Sequence, residues 1–184
     1  MRVIAGSRKG HRLKAVPGAN TRPTTDKIKE ALFSMIGPFF DGEKALDLFA
    51  GSGGLGIEAL SRGASSCVFI DQAGAAIKTI KENVQACHFE EEAQIFRNDA
   101  RKALKLLQKN EQSFDLVFLD PPYKKQQLEK LLLELCELGL LQKGALIVCE
   151  HDKEAKLPDE IPQFEKIKTA EYGITILSIY QFGE

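Results

Sequence analysis

Beyond residue 44 the chain alternates between two kinds of segment, and that alternation decides what it can fold into. Short apolar runs rich in branched and aromatic residues predict strands at 44–49, 66–71, 93–97, 114–120 and 144–150. Between them, helical periodicity predicts helices at 54–62, 73–86, 100–109 and 125–138. Strand, helix, strand in repetition gives a parallel sheet with helices on both faces. The last segment, FEKIKTAEYGITILSIYQF, departs from this pattern: it predicts two strands turning near Tyr172-Gly173 with no helix between, hence an antiparallel edge hairpin. The expected fold class is α/β, a mostly parallel, doubly wound sheet.

The N-terminal part differs. Residues 2–5 and 11–16 predict two short strands around the Gly6–Gly10 turn, a small β-hairpin. In the helix that follows, Ile28, Ala31, Leu32, Met35, Ile36 and Phe39 share one face, with Thr24 or Thr25 as N-cap and Gly37-Pro38 as the stop. Residues 1–40 hold eight Lys/Arg against two Asp/Glu, a charge of +6, whereas the remainder carries −7. A basic arm on an acidic body suits an anionic partner, and it equally suits a solvated surface; charge alone leaves both open. The division expected is residues 1–20 as a basic hairpin extension and 21–184 as the main domain.

No apolar run reaches the ~18 residues of a membrane helix, and MRVIAGSRKG lacks the features of a signal peptide, so a cytoplasmic protein with no membrane partner is expected. Cys67, Cys87, Cys136 and Cys149 contain no CxxC pair, and His11, His88 and His151 complete no zinc spacing. They predict no metal site and thiols that serve as small buried hydrophobes.

In such sheets ligands bind beyond the carboxyl ends of the strands. The first strand runs into LDLFAGSGGLG, where Gly51, Gly53 and Gly56 form G-x-G-x-x-G between a strand and a helix. Such a loop admits close backbone approach by a dinucleotide or another adenosine cofactor, and by itself it selects neither. Asp71 ends the second strand 20 residues after Gly51, where a carboxylate accepts from ribose hydroxyls or caps the next helix. Asp99 ends the third, suited to an adenine amino group or to a cap for the helix at 100–109.

The fourth strand, FDLVFL, stops at Asp120-Pro121-Pro122-Tyr123. Pro121 forces Asp120 into an extended conformation. The two prolines lack N–H groups, so the carbonyls here have no ladder partners and form a rigid acceptor surface. One carboxylate, one backbone acceptor and one aromatic plate complement a flat ring bearing an exocyclic amino group. An ordinary turn leaving a strand is the competing account.

These motifs are recognisable. LDLFAGSGGLGIEALSRGA with DPPY resembles the class I S-adenosylmethionine-dependent methyltransferases that act on amino nitrogens. With RVIAGSRKGHRL and NTRPTTDKIKEALFSMI before it and EYGITILSIYQF after it, the chain resembles the RsmD family of bacterial small-subunit (16S) rRNA guanine-N2 methyltransferases along nearly its whole length. The resemblance implies a Rossmann-like methyltransferase fold and methyl transfer from S-adenosylmethionine to guanine N2, with the small ribosomal subunit, assembled or assembling, as partner. A monomer is expected. By the same resemblance Asp47, Gly51 and Gly53 lie near the methionine portion of the cofactor, Asp71 takes the ribose, and Asp99 with Ala100 the adenine, with Ser52, Gln72 and Asp120 also among the cofactor residues. Leu55 and Gly56 read as helix packing. Asp120, Pro121, Pro122 and Tyr123 carry catalysis: an aromatic amine is a poor nucleophile, and acceptors for its hydrogens localise its lone pair and aim it at the methyl group.

A base inside a duplex cannot enter such a pocket, so the target is looped or flipped out. Arg2, Arg8, Lys9, Arg12, Lys14, Arg22 and Thr24 are the candidate RNA contacts, with Lys124 and Lys125 beside the pocket as additions. The arm is expected to be separable, because the sheet starts near residue 44. Adenine N6 or a protein glutamine would suit the same Asp-Pro-Pro-Tyr chemistry. A non-catalytic, NAD-linked nucleotide-binding module would suit the glycine loop and Asp71 but leaves Asp120–Tyr123 without a task.

Overall fold

The computed structural model describes residues 1–18, 25–122, 125–155 and 157–183, without the side chains of Lys125 and Gln126. Its elements run α1 Asp26–Ile36, β1 Lys44–Asp47, α2 Gly54–Ser61, β2 Ser66–Asp71, α3 Gly74–Ala86, β3 Ala93–Arg97, α4 Ala100–Lys109, β4 Phe114–Leu119, α5 Lys125–Glu137, β5 Leu141–His151, β6 Glu160–Ile161, β7 Phe164–Tyr172 and β8 Thr175–Phe182. They fall into two compact units, Met1–Ala100 and Arg101–Glu184. Both carry the α/β pattern that the sequence predicts.

In the first unit β3, β2 and β1 lie side by side, all parallel, with registers from Lys44↔Ser66 to Asp47↔Phe69 and from Cys67↔Ala93 to Asp71↔Arg97. Ala45, Leu46, Val68, Phe69 and Ile70 are buried. Strands covered on both faces read as continuous apolar runs, which is why these were visible in the sequence. β1 is shorter than expected, ending at Asp47 rather than at residue 49. The chain then bends early: the Ala50 N–H donates to the Ile70 carbonyl at 2.9 Å and starts the glycine loop.

In the second unit β4 and β5 are parallel, from Leu116↔Leu146 to Leu119↔Cys149. β5 pairs antiparallel with β8, β8 with β7 and β7 with β6, giving the predicted antiparallel edge. The two-residue β6 was not foreseen. Its partner bonds come from β7, and two residues are too few for any periodicity.

Thr25 caps α1, its hydroxyl accepting from the Ile28 N–H at 3.2 Å; Thr24 is outside the described residues. The buried face of α1 is Lys29, Leu32, Phe33 and Ile36, whereas Phe39 is 62% exposed. Lys29 on the buried face corrects the purely apolar face expected. Residues 1–18 double back as predicted, but the pairing is a single bridge, Arg2↔Arg12, not a two-stranded ladder. The Val3 and Gly10 N–H groups donate across the turn to His11 and Val3 carbonyls at 2.8 and 2.9 Å.

Cys67, Cys87 and Cys149 are buried free thiols, and Cys136 is partly exposed. Among the described residues no helix is long and apolar enough to cross a membrane. No group of three or more His, Cys, Asp or Glu among them could hold a metal ion.

Candidate active site

The parallel registers of the first unit bring the carboxyl ends of β1, β2 and β3 to one edge, and the predicted cofactor residues from Asp47 to Ala100 lie on or just after these strand ends. Asp71 is the junction. One of its oxygens accepts from the Gly51 N–H at 2.9 Å and the other from the Ala73 N–H at 2.9 Å. Ala73 occupies the N-cap position of α3, which has no side-chain cap. Asp71 therefore ties the glycine loop to the turn before α3 instead of capping the helix. A carboxylate offers about four acceptor positions, so capacity for two hydroxyls remains.

Asp47 is 3% exposed and accepts from the Gly56 N–H at 3.1 Å. Burial pushes its carboxyl up to about 7; the Gly56 hydrogen bond opposes the rise and the nearby Asp71 charge adds to it. Asp47 props the loop from beneath.

Gly51 has φ of +56° with nothing within 4 Å of where a side chain would begin, so the space above it is open to a ligand. A β-carbon on Gly56 would meet the Phe69 ring at 2.3 Å and the Cys67 sulfur at 2.8 Å, which fits the packing role expected of it. Gly53 is the left-handed N-cap of α2. The Ser52 carbonyl accepts from Asn83 Nδ2 at 2.9 Å, and its hydroxyl lies 3.8 Å from the Met1 sulfur. Gln72 is exposed, its carbonyl accepting from Arg97 Nε at 3.1 Å. Asp99 is exposed, its N–H donating to Asn98 Oδ1 at 2.8 Å, and Ala100 starts α4.

In the second unit Asp120 is exposed immediately beyond the buried β4, followed by buried Pro121 and exposed Pro122. Tyr123 and Lys124 lie outside the described residues. Since Leu119 is in register with Cys149, Glu150 and His151 of β5 reach the same edge as Asp120. His151 Nδ1 lies 2.9 Å from the Asp152 carbonyl, which can only accept, so Nδ1 carries the proton. Nε2 then accepts from the Ser178 hydroxyl at 2.8 Å. Burial lowers the pKa of His151.

The N-terminal arm is fastened to the first unit. The Ile4 and Ala5 N–H groups donate to the Glu58 carboxylate at 2.9 and 3.1 Å. The Arg8 N–H donates to Ser61 Oγ at 2.9 Å, and the Lys14 N–H donates to Asn83 Oδ1 at 2.8 Å. The arm is therefore not separable as expected: its removal would strip partners from the fully buried Glu58. Arg8 also donates from Nε to the Cys87 carbonyl at 2.6 Å and covers the Phe89 ring at 4.5 Å, so it builds structure. Lys14 pairs with Glu82 at 3.0 Å and Arg2 with Asp26 at 3.5 Å, both in solvent. Lys9 and Arg12 are exposed. Arg22 and Thr24 lie outside the described residues, as does the Lys125 side chain. Sequence reasoning missed Glu58 and Asn83, which look like ordinary helix-surface polars until the arm lies across them.

The family model described as conserved hypothetical protein 95 matches residues 1–181. YlbH of Bacillus subtilis is 51% identical over 181 residues, covering 98% of both chains. Ribosomal RNA small subunit methyltransferase D of Haemophilus influenzae is 35% identical over 184 residues, covering 98% of this chain and 93% of the relative. The solved structure of yhhF from Escherichia coli superposes with a TM-score of 0.85 at 30% identity, covering 100% of this chain and 98% of that one.

Proposed function

Since the chain belongs to the ribosomal RNA small subunit methyltransferase D family, we propose that it transfers a methyl group from S-adenosylmethionine to the N2 amino group of a guanine in 16S rRNA, on the small ribosomal subunit in the bacterial cytoplasm. The observation that carries this reading is the pair of strand-end sets: a glycine loop tied to the Asp71 carboxylate in one unit, and the exposed Asp120 before two prolines in the other. S-adenosylmethionine, when bound, supplies a methyl group activated by a sulfonium. The open space above Gly51 and the spare acceptor positions of Asp71 fit its methionine and ribose portions. Asp99 and Ala100 serve the adenine, with Gln72 beside the ribose.

Asp120 and the Pro121 carbonyl accept the two amine hydrogens. This localises the nitrogen lone pair and fixes its direction, while Tyr123 offers a face for the base. Asp47 acts through the loop it props. Methyl transfer with tritiated S-adenosylmethionine to small subunits from a deletion strain, followed by nucleoside digestion, tests the reading. N2-methylguanosine is expected; label in N6-methyladenosine or in protein glutamine would replace the proposed target.

Asp71→Ala is expected to weaken S-adenosylmethionine binding about tenfold to a hundredfold, the loss of roughly 1.5–3 kcal/mol for a charged acceptor. RNA affinity should move much less. An unchanged cofactor dissociation constant by calorimetry would leave Asp71 with only its turn.

Docking of RNA is assigned to Lys9 and Arg12, with support from Arg2, Lys14, Arg22 and Thr24. Exposure of Lys9 and Arg12 favours them, and the buried fastening of Arg8 makes it their scaffold. Lys9→Ala with Arg12→Ala should weaken RNA binding and flatten its logarithmic salt dependence by about 1.5, each lost phosphate contact contributing roughly 0.7–0.9. An unchanged salt slope would move the docking surface elsewhere.

A further inference from the structure

Asn83 stands where the basic arm meets the glycine loop. It is 2% exposed, on α3. Its Oδ1 accepts from the Lys14 N–H at 2.8 Å, while Nδ2 donates to the Lys14 carbonyl at 3.0 Å and to the Ser52 carbonyl at 2.9 Å. Both amide hydrogens are used, and they go to different structures. Lys14 belongs to the arm that carries Lys9 and Arg12; Ser52 sits between Gly51 and Gly53. The carboxamide is planar, so its two N–H directions are fixed relative to each other. A shift of the arm that turns this amide to follow Lys14 also weakens or realigns the bond to Ser52.

We propose that Asn83 is a positioning residue that couples RNA docking on the N-terminal arm to methyl-donor binding at the glycine loop. The proposal rests on the functional reading above. Both ends of the clasp are backbone, so the coupling depends on how the chain lies at Lys14 and Ser52 and not on any one surface side chain. Coupling between sites is reciprocal: if RNA tightens the cofactor site by some factor, the cofactor tightens RNA binding by the same factor.

The test measures S-adenosylhomocysteine affinity by calorimetry, with and without small ribosomal subunits from a deletion strain. In the wild-type protein RNA should tighten S-adenosylhomocysteine binding about fivefold or more. Asn83→Asp keeps the size and the acceptor for the Lys14 N–H but turns the two donations into repulsions. It should bring the ratio near one. A role as a brace alone would lower stability or both affinities and leave the ratio unchanged. A wild-type ratio of one, or an undiminished ratio in folded Asn83→Asp, overturns the proposal. Should Asn83→Asp fail to fold, hydrogen exchange of the wild-type Lys14 amide decides: slowing on addition of S-adenosylhomocysteine supports the coupling, and an unchanged rate overturns it. Absence of any S-adenosylhomocysteine binding to wild type overturns the functional reading, and this inference with it.

Discussion

Asp120→Ala is expected to fold normally and to lose about a hundredfold in methyl transfer, close to 3 kcal/mol of barrier. The fold should survive because Asp120 is exposed and follows β4, whose buried Leu116–Leu119 are untouched. The rate should fall because the guanine amine is a weak nucleophile. Its lone pair is shared with the ring until acceptors draw its hydrogens out of the ring plane and free the pair toward the donor. Alanine leaves only the Pro121 carbonyl. Asp120→Asn should recover part of the rate, since it retains one acceptor oxygen but presents an amide donor where the substrate also donates. Single-turnover rates at saturating S-adenosylmethionine, with affinity measured separately, distinguish this from lost binding. A near wild-type rate for the alanine variant would remove Asp120 from the mechanism.

How much of this was legible in the sequence depended on whether a residue's role was local. β2 and β4 could be read because a buried parallel strand is a continuous apolar run, and Gly51–Gly56 because a tight strand-to-helix turn restricts residue choice locally. The predicted positions of Asp71 and Asp120 at strand ends also followed, since a period change from strand to loop marks the end. What failed was whatever long-range contact decides. Asp71 could be read as a helix cap, yet it binds Gly51, 20 residues earlier. Arg8 could be read as a free cation, yet its partners are Cys87 and Phe89. The arm counted as detachable because its partners Glu58, Ser61 and Asn83 lie 53 to 69 residues away. Lys29 broke the apolar face of α1 for the same reason: its ammonium donates to the Arg2 carbonyl at 2.6 Å and faces Glu58 at 3.4 Å.

Glu58→Ala is expected to cost about 3–5 kcal/mol, a large part of the roughly 5–15 kcal/mol that holds a domain together. Glu58 is fully buried with Lys29 at 1% and Arg62 at 5% exposure. Arg62 Nε meets one carboxylate oxygen at 2.7 Å, and the Ile4 and Ala5 N–H groups take the remaining acceptor positions. Alanine would remove the buried counter-charge that Lys29 and Arg62 share and leave two backbone donors unpaired. Lys29 can relieve this by losing its proton. Burial already lowers its pKa, and Glu58 supplies the main opposing effect, so the variant should lower it further. A lysine that is neutral when folded but charged when unfolded makes stability rise with pH, up to the ordinary lysine value of 10.5. The deficit of Glu58→Ala should therefore shrink on the alkaline side, and Lys29→Met in the same chain should recover part of it at neutral pH. Urea unfolding of the wild type, Glu58→Ala, Lys29→Met and the double variant across pH measures both effects. A Glu58→Ala protein within about 1 kcal/mol of wild type, or a deficit that does not respond to Lys29→Met, would mean that the arm and α2 are held by apolar packing around Val3 and Leu13, not by this buried carboxylate.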